Sequence, residues 1–464
     1  MSNYMTNYEK WLNSDADDEA TKHELESIRG DEKEIAGRFS RLIDFGTAGL
    51  RGKMLAGING LNVYVVRYAT QGVADLINSC GEDKSGGVTI IYDCRNNSQL
   101  YAREAAGVLA ANGIHVNTFN ELRPTPELSF ALRELHSIAG INITASHNRK
   151  EDNGYKIYLK DGAQFSPPND KEIIDLVNSV TDEEIFVDPK LVKRNENLIK
   201  LIPKSVEDKF LQGALDCMIH KDFCKKHGKE LSIVYTPLHG TGQVFAADVL
   251  KSVGYNVLPL PCQMTCDPDF SGVKTSNPEN KEAYDEAIAL AKAWDADIVL
   301  ATDPDADRLG IAVRHDGEFV LFTGNQTATL ELDYILRTRK EFNTLPKDGY
   351  LFTTNVSSTL PEVIAKKYGL KVEITLTGFK FIGEKAREME ETGRGTYVFG
   401  FEESYGSLVS PIVRDKDSIQ AILILCELAA YWREKGLDLV EALEEIYKEY
   451  GYYKEDITNV ALAG

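Results

Sequence analysis

The chain has no apolar run approaching about 18 residues, which excludes a membrane-spanning helix built on one continuous stretch. It is also short of positive charge: Lys and Arg number 52 against 72 Asp and Glu, a formal net charge of −20. Such a chain repels phosphate-rich surfaces, which argues against general binding to nucleic acid or to an anionic membrane. An anionic small molecule would need local cations or a metal ion. Basic tails, coiled-coil blocks and low-complexity tracts are missing. Met1-Ser2-Asn3-Tyr4 leads into acidic sequence without an apolar signal region. Cysteine is sparse. The seven are odd in number and scattered, which suits reduced cytoplasmic thiols rather than a disulfide framework. Cys262 and Cys266 lie close together, but no second Cys/His pair completes a four-ligand zinc site.

What is present is material for sizeable cores: 464 residues, 43% hydrophobic and 27% charged. At roughly 150 residues per domain, the length suggests about three domains. Residues 4–42 are polar and helix-prone, with Trp11 as their anchor. Beyond them, strand-like runs at 88–92, 115–119, 139–144, 231–235, 256–258, 298–302, 350–354, 372–376 and 396–401 alternate with helical stretches. The helical stretches include 100–111, 127–135, 245–253, 284–294 and 418–435. This alternation predicts βαβ units. The expected fold is α/β: three consecutive similar domains with mixed, mostly parallel sheets around a central active-site cleft. The expected divisions are 1–205, 206–324 and 325–450. The strand-like 457–462 makes 451–464 read as the start of a further domain.

Several polar segments follow strands, at the sheet edge where α/β folds bind ligands. In Thr144-Ala145-Ser146-His147-Asn148, Ser146 lies on a loop beside His147 and within loop reach of Lys156. These residues suit either a polar turn or an exposed nucleophile and phosphate acceptor; without Gly-x-Ser-x-Gly, a hydrolase triad is disfavoured. Asp303-Pro304-Asp305-Ala306-Asp307-Arg308 brings three carboxylates together. Such like charges repel unless a hard dication such as Mg²⁺ binds them, the plainer alternative being a solvated acidic turn. An EF-hand is disfavoured, since its later Gly and Glu do not follow. The segment from Gly400 to Gly406 offers two carboxylates and a hydroxyl, suited to sugar hydroxyls or to a plain turn. In Arg414-Asp415-Lys416-Asp417 the acids suit the start of a helix, whereas Arg414 and Lys416 are cations at the wrong end and hint at a ligand. Thr377-Gly378 follows a strand and fits a plain turn, and the Gly-rich stretch 45–53, with Arg51, fits a structural loop or an anion-binding loop equally well.

Taken in this order, from about Asp44 to about Glu444, the segments resemble the α-D-phosphohexomutase family. The resemblance implies Ser146 as the phosphoserine, and Asp303, Asp305 and Asp307 with a phosphate oxygen on Ser146 as the Mg²⁺ site. It implies that His147 and Lys156 border the transferring phosphoryl group and that Arg308 lies near the metal and phosphoserine, with Lys416 as a candidate acid/base partner. Glu402 and Ser404 would hold the sugar, and Thr377 and Gly378 would read hydroxyl orientation. Thr47 and Arg51 would belong to an amino-terminal active-site loop, and Arg414 to the substrate-binding set. In the implied reaction, phosphoserine donates to the 6-hydroxyl of glucose 1-phosphate. Glucose 1,6-bisphosphate then turns over in the cleft, and Ser146 takes back the 1-phosphoryl group. The implied cofactor is Mg²⁺, the activating donor glucose 1,6-bisphosphate, and the partners small hexose phosphates rather than nucleic acid or membrane. Action on mannose or pentose phosphates, or synthesis of glucose 1,6-bisphosphate, are neighbouring alternatives. One departure stands out: the family's Arg-Pro-Ser-Gly-Thr-type phosphate-gripping loop does not occur. The resemblance therefore implies a chain without the family's fourth domain, a weak mutase or a sugar-phosphate binder that keeps its serine and metal sites.

Overall fold

Three sheets organise the chain in the computed structural model, which describes residues 3–14, 18–43, 49–165, 175 and 196–455. The first contains β1 (Leu50–Lys53), β2 (Val88–Tyr92), β3 (Val116–Thr118), β4 (Ala139–Ile143), β5 (Asp152–Leu159) and β6 (Ile199–Leu201), ordered β1-β5-β4-β2-β3-β6. The second contains β7 (Ser232–Thr236), β8 (Asn256–Pro259), β9 (Ile298–Thr302), β10 (Leu309–His315) and β11 (Glu318–Leu321), ordered β11-β10-β9-β7-β8. The third contains β12 (Gly349–Thr354), β13 (Lys371–Thr375), β14 (Thr396–Glu402) and β15 (Gly406–Leu408), ordered β13-β12-β14-β15. Each has a parallel centre and an antiparallel flank, the mixed and mostly parallel arrangement expected. The central strands are buried on both faces, which is why they read as short continuous apolar runs.

The antiparallel flanks were not visible in that pattern. Lys156 lies on β5, which runs antiparallel to β4, with Asn142 opposite Lys156 and Ile141 opposite Ile157. Its polar Asp152, Asn153 and Lys156 conceal a strand that is almost wholly buried between β4 and β1. At the amino end, helices Asn3–Leu12, Glu19–Ser27 and Glu32–Phe39 close around Trp11, which meets Phe39 and Tyr64 edge-on at 5.8 and 5.2 Å. The edge-to-face geometry places the positive ring edge on the negative ring face.

One apolar core joins the second and third sheets, while the first sheet has its own. Helix Ser418–Glu434 is buried nearly all round and forms the shared spine, capped by Asp417, whose Oδ1 accepts from the backbone of Ile419 and Gln420 at 2.8 and 3.2 Å. Helix Leu439–Tyr450 follows, and residues 456–464, including the strand-like run, lie outside the described residues. No helix among the described residues is long and apolar enough to cross a membrane.

The core also holds a carboxyl group that the helix pattern does not reveal. Glu331, on helix Gly324–Glu341, is 1% exposed, its Oε1 has no partner, and burial raises its pKa from 4.5 to about 8. Between those values the folded protein keeps a proton that the unfolded chain has released, so stability falls as pH rises, by about 1.4 kcal/mol per unit. Below about pH 4.5 both states are protonated and the group has no effect. Glu331→Gln is therefore expected to match the parent's thermal midpoint near pH 4.5 and to exceed it increasingly towards pH 8. Midpoints that stay parallel across that range would refute the assignment.

Candidate active site

The carboxylate cluster begins where β9 ends at Thr302. Asp303, Asp305 and Asp307 lie on the turn into β10, all buried, with one oxygen of each within 4.8 Å of the others. This is the one such group of metal-capable side chains among the described residues, so Cys262 and Cys266 belong to none. The turn is tightly backed. Gly240 approaches it so closely that a Cβ there would meet Pro304 Cα at 2.5 Å, and Thr241 N–H donates to the Pro304 carbonyl at 2.9 Å.

Each carboxylate is held differently. Asp303 Oδ1 accepts from the backbone N–H groups of Asp307 and Arg308 at 3.2 and 3.1 Å, and its Oδ2 accepts from Ser146 Oγ at 2.7 Å. Asp305 Oδ2 accepts from Lys156 Nζ and Thr125 Oγ1, both at 3.0 Å. Asp307 Oδ2 lies 3.1 Å from Lys416 Nζ. Asp305 Oδ1 and Asp307 Oδ1 are buried with no hydrogen-bond partner. Buried carboxylate oxygens rarely remain unpaired, and an all-oxygen donor set of this charge suits a hard cation. Burial and the neighbouring Asp305 and Asp307 drive the Asp303 pKa well up. Burial would raise Asp305 too, but Lys156 pulls it below the usual carboxylate range. Burial would lower Lys416, but Asp307 and Asp415 reverse this and hold it protonated.

Ser146 reaches the cluster from the loop after β4, 157 residues away in sequence. Its backbone sits in the left-handed region at φ 50°, a conformation non-glycine residues adopt at a cost. The loop is held by Arg95, whose buried guanidinium donates to the carbonyls of Ser146, Asn148, Arg149 and Asp152 at 2.5 to 3.1 Å. Thr144 Oγ1 accepts from Ser146 N–H at 2.8 Å and donates to Asp93 at 2.6 Å. His147 Nδ1 lies 3.2 Å from Ser146 Oγ, and burial, with Arg308 nearby, lowers its pKa to about 3, leaving the ring neutral. Arg308 pairs with Glu279 at 2.6 Å, its Nε 3.8 Å from Asp307. Arg51, on β1, joins the serine loop through Asn148 Oδ1 at 3.3 Å.

The third sheet supplies the opposite wall. Glu402 ends β14, and its Oε1 accepts from Gly378 N–H at 2.8 Å; burial raises its pKa while Lys416 opposes that. Lys416 lies 3.0 Å from Asp415, which accepts from the Tyr158 hydroxyl of β5 at 2.9 Å. Thr377 Oγ1 is 3.4 Å from Asn355 Oδ1, and Ser404 is half-buried beside Glu402. Arg414 is not part of this group. Its guanidinium binds Glu390 and the Pro411 carbonyl, and its backbone N–H donates to Ser129 Oγ at 2.8 Å, so it ties the first sheet's helices to the third sheet. Thr47 lies outside the described residues.

Motif reading passed over Arg95, Thr125, Tyr158 and Glu279. Of these only Arg95 carries a local signal, following a strand's end directly within Asp93-Cys94-Arg95.

Comparison with known proteins agrees along the whole described chain. The family models phosphoglucomutase/phosphomannomutase alpha/beta/alpha domains I, II and III match residues 42–184, 209–317 and 323–450 in turn. A phosphoglucomutase of Staphylococcus aureus strain N315 is 36% identical over 458 residues, covering 98% of this chain and 80% of its own. Among solved structures, a phosphomannomutase candidate of Thermus thermophilus aligns with TM-score 0.73 and 24% identity over 89% of this chain and 84% of that one. The open form of Paramecium pp63/parafusin, a phosphoglucomutase, aligns at 0.65 and 22% identity over 88% and 74%. At such identities the two structures speak for the fold alone. The three matches in order and the relative at 36% identity speak for descent: the chain belongs to the phosphoglucomutase/phosphomannomutase, or α-D-phosphohexomutase, family.

Proposed function

We propose that the chain is a phosphoglucomutase, an intramolecular phosphotransferase that interconverts glucose 1-phosphate and glucose 6-phosphate through phosphoserine 146 and glucose 1,6-bisphosphate. The observation that carries this reading is the 2.7 Å contact of Ser146 Oγ with Asp303 Oδ2, which sets a hydroxyl nucleophile against a buried carboxylate cluster. The 36% identity to phosphoglucomutase supports the choice of glucose. Asp303, Asp305, Asp307 and an oxygen of phosphorylated Ser146 would hold Mg²⁺, which when bound neutralises charge on the transferring group.

The protein's own residues do the rest. Asp303 Oδ2 accepts the Ser146 hydroxyl hydrogen and aims the oxygen. Lys156 and Arg308 add positive charge beside a phosphoryl group that the chain's net charge of −20 would otherwise repel. The neutral His147 ring hydrogen-bonds the serine without adding charge. Lys416 keeps a proton at Nζ facing the third-sheet wall, where it serves a sugar oxygen as acid and, once deprotonated, as base. Glu402, Ser404, Thr377 and Gly378 offer acceptors and donors to sugar hydroxyls, and Arg51 adds a cation on the serine loop. A cytoplasmic location accompanies this reading, in keeping with free thiols at every cysteine.

The test is intact mass with site mapping after incubation with glucose 1,6-bisphosphate and Mg²⁺, alongside turnover of glucose, mannose and ribose 1-phosphates. The expected result is a phosphoryl group on Ser146 and fastest turnover of glucose 1-phosphate. A serine that neither gains nor loses phosphate would overturn the proposal, and a preference for mannose or ribose would reassign its substrate.

A further inference from the structure

Hydrogen bonding behind the carboxylate cluster singles out Thr125. This residue opens helix Thr125–Glu134 beside the first sheet and grips Asp305, 180 residues away, twice. Its backbone N–H donates to the Asp305 carbonyl at 2.9 Å, and its hydroxyl donates to Asp305 Oδ2 at 3.0 Å. Threonine near a helix start ordinarily spends its hydroxyl on the helix. Here the N-cap is Pro124, without any side-chain cap, and the hydroxyl goes to another sheet's carboxylate.

Asn142 on β4 decides where the single hydroxyl hydrogen points. Its Nδ2 donates to Thr125 Oγ1 at 2.8 Å, which occupies a lone pair and leaves the hydrogen for Asp305. Thr125, Asn142 and Asp305 are 0%, 1% and 1% exposed, so water does not compete. Lys156 Nζ also binds Oδ2, but an ammonium on a four-carbon stem is a point charge with little directional demand. Threonine is short, and its own backbone is pinned to Asp305. With both donors on Oδ2, Oδ1 remains the carboxylate's unpartnered oxygen.

We propose that Thr125 is a positioning residue of the metal site: its hydroxyl, oriented by Asn142, fixes the Asp305 carboxylate so that Oδ1 is presented to a divalent cation. The inference rests on reading the three aspartates as a metal site. Outer partners that orient metal ligands typically change metal affinity about 10- to 100-fold when removed.

The probe is Mn²⁺ binding to the full chain, followed by electron paramagnetic resonance without substrate, with thermal midpoints recorded metal-free. Thr125→Val keeps the branched shape and removes the hydroxyl, and it is expected to weaken Mn²⁺ binding about ten-fold or more. Thr125→Ser restores the hydroxyl and is expected to restore binding to within about three-fold, a recovery that loss of packing would not predict. Val binding as tightly as the parent, or Ser weakened as much as Val, overturns the inference. Should Thr125→Val fail to fold, Asn142→Leu takes its place: it frees the hydroxyl hydrogen, and unchanged Mn²⁺ affinity there is equally fatal. An unmodified protein that binds no Mn²⁺ removes the metal reading itself, and this inference with it; binding by the parent with indifferent variants removes the inference alone.

Discussion

Ser146→Ala is expected to stop phosphoryl exchange almost completely, by about 10⁴-fold or more, the scale on which removal of a covalent nucleophile acts. The fold should survive. Ser146 Oγ makes two contacts, to Asp303 and His147, whereas the loop is held through its backbone by Arg95 and Thr144. Alanine keeps every one of those backbone bonds. What it loses is one donor to Asp303, worth about 1–3 kcal/mol where the partner is buried. It also inherits the left-handed φ of 50° unchanged. Ser146→Gly relieves that conformation, by about 1 kcal/mol, and should be at least as stable as the alanine variant while equally inactive. Intact mass after exposure to glucose 1,6-bisphosphate should show phosphate on the parent and on neither variant. Alanine-variant exchange within about ten-fold of the parent would move the nucleophile elsewhere.

How far the chain could be read beforehand follows from where each residue gets its meaning. The central strands were legible because burial on both faces demands apolar runs, and the three aspartates because their repeat directly ends such a run. The encounter of Ser146 with Asp303 was legible only through the resemblance, since local spacing carries nothing across 157 residues. Lys156 was legible as a cation near the serine but not as a strand residue, because β5 buries its ammonium group against Asp305 beyond the second sheet's β9. Arg414 and Lys416 show the limit well. Two residues apart and equally charged, they diverge: Lys416 meets Asp307 and Asp415, and Arg414 meets Glu390. Thr125 and Tyr158 were silent because each sends its one hydroxyl hydrogen to a distant carboxylate, Asp305 and Asp415. No composition or period records such a bond.

Removal of the divalent cation should have the next largest effect after loss of the serine, and Asp303→Asn is the substitution that isolates why. A metal ion at a transferring phosphoryl group contributes several kcal/mol, on the order of 10³-fold in rate or more. Exhaustive chelation should therefore abolish turnover, and Mg²⁺ should restore it. The same ion binds only the folded state, so at about 100 times its dissociation constant it adds about 2.7 kcal/mol of stability. Asp305 and Asp307 each pair with a lysine, so replacing Asp305 strands the buried Lys156 and replacing Asp307 leaves Lys416 to Asp415 alone. Asp303 has no lysine partner; burial and its two neighbours push its pKa upward, so its charge is the least welcome without an ion. Asparagine there keeps the local geometry: its oxygen can accept from the backbone of Asp307 and Arg308, and its amide can donate to Ser146 Oγ. Metal-free, Asp303→Asn should melt at or above the parent's midpoint. With Mg²⁺ the parent's midpoint should rise and the variant's should not, and the variant's turnover should fall about 10³-fold or more. A variant whose midpoint climbs with Mg²⁺ as the parent's does would show that the ion binds elsewhere, and the three aspartates would then be a cluster restrained by protein groups such as Lys156, Lys416, Thr125 and Ser146.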